Sequence, residues 1–160
     1  MNVLFLEDRG ATAFFVERWL KENGHNVLSA FNPNDAQSHW NKRDKVPIHC
    51  IILDLRTPTE GLDEKQKKRA AGGNLSGWVW LRDKVLTEIP EMRERTIIYS
   101  DYTHVLYDND NVPDEEYNGI TIVPKKQRSS AAEDVVIRIR EIAKLPTPPQ
   151  KVGGEAEVGS

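Results

Sequence analysis

The chain has 160 residues, 38% of them hydrophobic and 29% charged, with a formal net charge of -3 at pH 7. That length supports one domain able to bury a core without disulfides or structural metal, and the acidic balance excludes the electrostatic footprint of non-specific nucleic-acid binding. A lone cysteine, Cys50, excludes an internal disulfide framework, and no apolar run approaches the roughly 20 residues of a membrane helix. The first eight residues carry no charged, cleavable leader pattern, so the expected location is the cytoplasm, with neither a membrane nor nucleic acid as direct partner.

Apolar runs of strand length alternate with segments of helical period, the pattern of repeated βα units and a parallel sheet. Residues 2–6 read as the first strand, and residues 12–23 as an amphipathic helix in which Phe15 and Trp19, and Val16 and Leu20, recur at four-residue spacing before Gly24. Residues 25–31 predict a second strand. Asn32 and Pro33 then offer an N-cap and a first-turn proline for a short polar helix over 34–42. Residues 48–53 are apolar almost throughout, as a central parallel strand covered on both faces demands, and Cys50 within them is expected to fill core.

Between residues 57 and 76 the pattern breaks: Pro58, Gly61, Gly72 and Gly73 flank the charged run 63–69, which predicts an exposed loop. Helical period resumes over 76–88 with Trp78, Leu81 and Val85 on one face, and Pro90 ends it. Residues 96–99 form the predicted fourth strand, 102–107 a weak helix, 108–113 a polar connection and 120–123 the fifth strand. The last helix is the best marked, with Ser130 and Glu133 as a capping box and Val135, Ile139 and Ile142 as its buried stripe. Residues 146–160 have little to bury and read as a disordered tail behind a single domain over 1–145.

In an open parallel sheet, functional groups gather at the carboxyl ends of the strands, where loops leave a crevice. Those ends carry Glu7 and Asp8, Asp54, Ser100, and Lys125 or its neighbour Lys126, with the apolar run closing at Val123 and Pro124 favouring Lys125. Three clustered carboxylates need a compensating cation, and Mg²⁺, a hard ion that takes one or two carboxylates together with waters and a phosphate oxygen, suits them. Lys125 then adds positive charge and Ser100 a hydroxyl donor for an anion beside Asp54, whose carboxylate can attack a phosphoryl group to form an acyl phosphate. His25, His39, His49 and His104 lie in no ligand spacing, and Gly72 with Gly73 lacks the lysine and hydroxyl sequel of a nucleotide phosphate loop.

The runs Val3-Leu4-Phe5-Leu6-Glu7-Asp8, Ile51-Ile52-Leu53-Asp54-Leu55 with Pro58, Ile97-Ile98-Tyr99-Ser100 and Ile122-Val123-Pro124-Lys125 resemble, in their order, the receiver domains of two-component response regulators. The resemblance covers residues 1–145. It implies an α/β, flavodoxin-like (CheY-like) three-layer sandwich with a five-stranded parallel sheet of order 2-1-3-4-5 and five helices. It further implies Asp54 as phosphoacceptor, Mg²⁺ held by Glu7, Asp8, Asp54 and the backbone carbonyl of Arg56, and Ser100 and Lys125 as phosphoryl ligands that carry a switch. The implied partners are a histidine kinase or phosphotransfer protein of a phosphorelay and a downstream protein target. Catalysis is limited to Mg²⁺-dependent phosphorylation and dephosphorylation of the chain's own aspartate. An alternative is a phosphorylation-independent module for interaction or homodimerisation. The chain departs from the family pattern at Gly77, displaced by an insertion over 57–76, at Ile122 for the switch aromatic, at Lys126 for a proline, and at Asp101 for a small residue.

Overall fold

The computed structural model describes residues 1–8, 10–125, 130–148 and 150. Its five strands, β1 (Asn2–Leu6), β2 (Asn26–Ala30), β3 (Cys50–Leu53), β4 (Thr96–Ser100) and β5 (Thr121–Pro124), form one parallel sheet in the order β2-β1-β3-β4-β5. The expected order is therefore observed.

Side chains alternate across the pleat, so each central strand feeds two cores. Leu4, Leu6, Ile51, Leu53 and Ile98 face one layer, with Trp40, Trp78, Trp80 and Leu81, while Val3, Phe5, Ile52 and Ile97 face the other. The first layer holds α2 (Pro33–Asn41), α3 (Glu64–Arg69), α4 (Ser76–Trp80), α5 (Thr103–Tyr107) and the short α6 (Asp114–Tyr117). The second holds α1 (Gly10–Glu22) and α7 (Ala131–Ala143), which supply Ala13, Val16, Leu20, Val135, Ile139 and Ile142. Among the described residues no helix is long and apolar enough to cross a membrane.

Several predicted ends are built as the residue types dictate. Asn32 caps α2 by accepting from the Asp35 amide at 2.9 Å, with Pro33 in the first turn. Gly24 closes the turn after α1 at φ +78, the left-handed conformation that favours glycine. Cys50 is fully buried, and burial pushes its thiol up to about 12.

Other expectations are corrected. Phe15 is 57% exposed, because the face of α1 toward the sheet is set by Ala13, Val16 and Leu20, and the phase of that stripe turns Phe14 and Phe15 outward. Ser130 gives no side-chain cap to α7: its backbone, at φ -94 and ψ 8, is not the extended conformation that aims a capping hydroxyl. The tail is docked as far as it is described, since Pro148 is buried and the Gln150 side chain accepts from the Ile48 amide at 2.9 Å and donates to the Ile48 carbonyl at 3.2 Å. Residues 151–160 lie outside the described residues.

The largest difference is the inserted segment, which is folded rather than an open loop. Asp63 and Gln66 form a reciprocal capping box at the start of α3, and Leu62, Gln66, Ala70 and Leu75 are buried. The Glu60 carbonyl accepts from the Asn34 amide at 2.9 Å, and a Cβ at Gly61 would strike the Asn34 backbone, so the segment is tied to the start of α2. Asp83 on the far side pairs with Arg69 and accepts from Gln66 at 3.1 Å. Burial raises the Asp83 carboxyl, but its bonds to Arg69 and Gln66 outweigh that and hold it below the usual carboxylate range. Beyond Trp80, α4 widens into π-helical turns over Leu81–Leu86.

Candidate functional site

The strands aim their last residues by extending the ladder one step past each end. The Glu7 amide donates to the Ala30 carbonyl at 3.0 Å, the Asp54 amide to Leu6 at 2.9 Å and the Lys125 amide to Ser100 at 3.0 Å. Each side chain therefore leaves its strand at a fixed height, and Glu7, Asp8, Asp54, Ser100 and Lys125 meet at the carboxyl edge of the sheet.

Every oxygen of Asp54 has its own partner. Ser100 Oγ donates to Oδ1 at 2.5 Å, and Lys125 Nζ donates to Oδ2 at 3.1 Å while also bonding Glu7. Ser100 Oγ in turn accepts from the amides of Leu55 at 3.3 Å and Tyr102 at 3.1 Å, which fixes its hydroxyl toward the carboxylate. Lys125 Nζ stands 5.1 Å from the Tyr99 ring, whose face attracts the cation.

The carboxylates of Glu7, Asp8 and Asp54 can each offer an oxygen within 4.8 Å of the others, the spacing of a single cation site. Glu7 and Asp54 are buried and Asp8 is exposed, so the cluster has an open side. Among the described residues three carboxylates face one ammonium, and the excess negative charge fits a hard divalent ion with oxygen ligands. Arg56 borders the cluster: its amide donates to Asp54 Oδ1 at 3.3 Å, and its guanidinium lies over the Tyr102 ring and bonds the Tyr102 hydroxyl.

Burial pulls the Lys125 ammonium down, but the charges of Asp54 and Glu7 and the hydrogen bonds to them outweigh it and hold the group above its ordinary value. A raised lysine stabilises the fold fully below the unfolded value of 10.5, and that contribution is lost as pH climbs through the higher folded value. In alkaline urea titrations the wild type is expected to lose this increment, whereas Lys125→Ala shows none of it. Parallel alkaline profiles for the two proteins count against the pairing.

Gly77 explains how the insertion reaches the site without blocking it. Its amide donates to the Leu55 carbonyl at 3.0 Å, and its Cα lies so close to β3 that a Cβ would collide with the Asp54 carbonyl oxygen. Trp78, on the buried face of α4, is 1% exposed and meets Tyr117 edge-on at 6.2 Å. Lys126 lies outside the described residues. Asp101 is half-buried beside the site, and its charge helps burial raise the Tyr99 hydroxyl. Tyr99 and Tyr102 were not singled out from the sequence, although their positions immediately before and two after Ser100 place both beside the strand end.

No family model matches the sequence, and no curated protein matches it. Solved structures do. The non-phosphorylated receiver domain of HemR from Leptospira biflexa aligns over 92% of this chain and 98% of its own, with TM-score 0.62 and 15% identity. The Mn²⁺-bound form of response regulator Rcp1 aligns over 92% and 99%, with TM-score 0.60 and 15% identity. A response regulator receiver domain protein from Clostridium thermocellum aligns over 88% and 92%, with TM-score 0.59 and 20% identity. The chain has the fold of the response-regulator receiver domains, a five-stranded flavodoxin-like sandwich.

Proposed function

We propose that the chain is a receiver domain that takes a phosphoryl group on Asp54 from a histidine kinase or phosphotransfer protein and signals through protein contacts. The observation that carries this reading is the division of labour around Asp54, with a hydroxyl on one oxygen and an ammonium on the other. Attack by a carboxylate oxygen forms an O–P bond as the P–N bond of a phosphohistidine breaks, its electron pair returning to the imidazole nitrogen. Lys125 and Ser100 then exchange their bonds to Asp54 for bonds to phosphoryl oxygens, and that exchange is the signal passed to the surface. Glu7, Asp8, Asp54 and the Arg56 carbonyl are the proposed ligands of Mg²⁺, which supplies neutralisation of phosphoryl charge.

Acetyl phosphate with Mg²⁺ is expected to add one phosphoryl group to the intact protein by mass spectrometry, and none to Asp54→Asn or to the wild type in EDTA. Absence of the adduct in the wild type, or its survival in Asp54→Asn, sinks the reading. One observation favours the phosphorylation-independent alternative: Ser100 and Lys125 already engage Asp54 in the unmodified chain, which leaves them little distance to travel. Equal partner affinity of wild type and Asp54→Asn, with and without beryllofluoride, selects that alternative.

A further inference from the structure

A cavity of about 580 Å³ lies away from the carboxylate cluster, between α5, α6 and β5. Tyr107 and Tyr117 form one wall, with ring centroids 5.8 Å apart in an edge-to-face pair, and Tyr107 is 50% exposed. Asp114 and Glu115, both exposed, stand at the rim, and Ile120 and Ile122 supply the apolar floor. Among the described residues no cation lines this groove. The arginines nearby are engaged beside it: Arg82 pairs with Glu116 at 2.9 Å, and Arg93 donates to the backbone carbonyls of Glu116 and Asn118.

The Tyr117 hydroxyl donates to Asp114 Oδ1 at 2.6 Å, and this bond pushes the phenol up to about 12, so it remains a neutral donor that holds the carboxylate at the rim. The exposed Tyr107 ring beside two carboxylates attracts a cation by both quadrupole and charge. The isoleucine floor accepts the methylene stem that a lysine or arginine carries behind its charged head. Gly119, at φ +87, forms the lip and keeps it free of a side chain.

We propose that this groove docks a basic segment of a partner protein, with one arginine or lysine side chain lying against Tyr107 and Tyr117 and its charge beside Asp114 and Glu115. Charge complementarity selects this occupant. An acidic peptide, nucleic acid or an anionic lipid surface meets like charge here. The proposal concerns the unmodified chain and does not depend on phosphoryl transfer to Asp54.

The test is fluorescence anisotropy with a short labelled peptide of alternating arginine and leucine, and a counterpart carrying glutamate for arginine. The wild type is expected to bind the arginine peptide, less tightly as salt rises, and not the glutamate peptide. Glu115→Lys and Tyr107→Ala, both at exposed positions, are each expected to weaken binding about tenfold or more, the size of losing one anchor. Glu22→Lys, the same charge reversal on exposed α1 across the sheet, should leave it unchanged. No binding by the wild type, equal binding of the two peptides, or equal losses in Glu115→Lys and Glu22→Lys overturns the proposal. Loss of acetyl-phosphate labelling with intact arginine-peptide binding, by contrast, touches only the phosphoacceptor reading.

Discussion

Lys125→Ala is expected to lose about 3–5 kcal/mol of folding stability, the cost of removing one partner from a buried ion pair. The side chains of Lys125, Glu7 and Asp54 are 5%, 3% and 5% exposed, so water cannot replace the missing ammonium. Without it Glu7 and Asp54 face each other with Asp8 close by, three like charges with no ammonium among the described residues bonded to them. The loss is a large share of the roughly 5–15 kcal/mol that holds a domain together. Millimolar Mg²⁺ should return part of it, since an ion bound only by the folded chain stabilises by mass action, about 2.7 kcal/mol at a hundred times its Kd. The gain should exceed that of the wild type, where the ammonium competes for the same oxygens. Urea unfolding in EDTA and in Mg²⁺ checks both statements. A variant as stable as wild type in EDTA shows that Lys125 does not neutralise the cluster.

Gly77→Ala is expected to destabilise by about 3 kcal/mol, the upper range for forcing a methyl into a packed site. The added Cβ meets rigid backbone, the Asp54 carbonyl, and lies 3.2 Å from Leu53 Cδ1, so relief requires the start of α4 to move off the end of β3. That displacement also shifts Asp54, and acetyl-phosphate labelling should fall along with the urea midpoint. Gly72→Ala is the control: nothing lies within 4 Å of its added Cβ, and only the positive φ of 68 opposes it, a cost of about 1 kcal/mol. Equal midpoints for the two variants would mean that the close approach at Gly77 is not a constraint.

Strand positions were legible because the near-continuous apolar runs at Val3-Leu4-Phe5-Leu6 and Cys50-Ile51-Ile52-Leu53 have few alternatives in an alternating βα chain. The converging site was legible for the same reason, since a parallel sheet brings strand ends together whatever lies between them. The inserted segment was not. Lys65, Lys67, Lys68 and Arg69 dominate its composition, while its folding depends on three apolar residues, Leu62, Ala70 and Leu75, and on Gln66 reaching Asp83 across 17 positions. Such long-range pairs leave no local period. Phe15 misled through phase: four-residue spacing marks two stripes on α1, and only contact with β1 and α7 decides which is inside.

The burial of Cys50 has a practical corollary. Its thiol is fully enclosed and its acidity is suppressed to about 12, so the reactive thiolate is scarce near neutral pH. With no other cysteine in the sequence, a cysteine placed at an exposed position such as Glu115 becomes the one site that a maleimide probe labels in the folded protein. The native chain thus arrives ready for single-site spectroscopy, and no core substitution is needed to silence a background thiol.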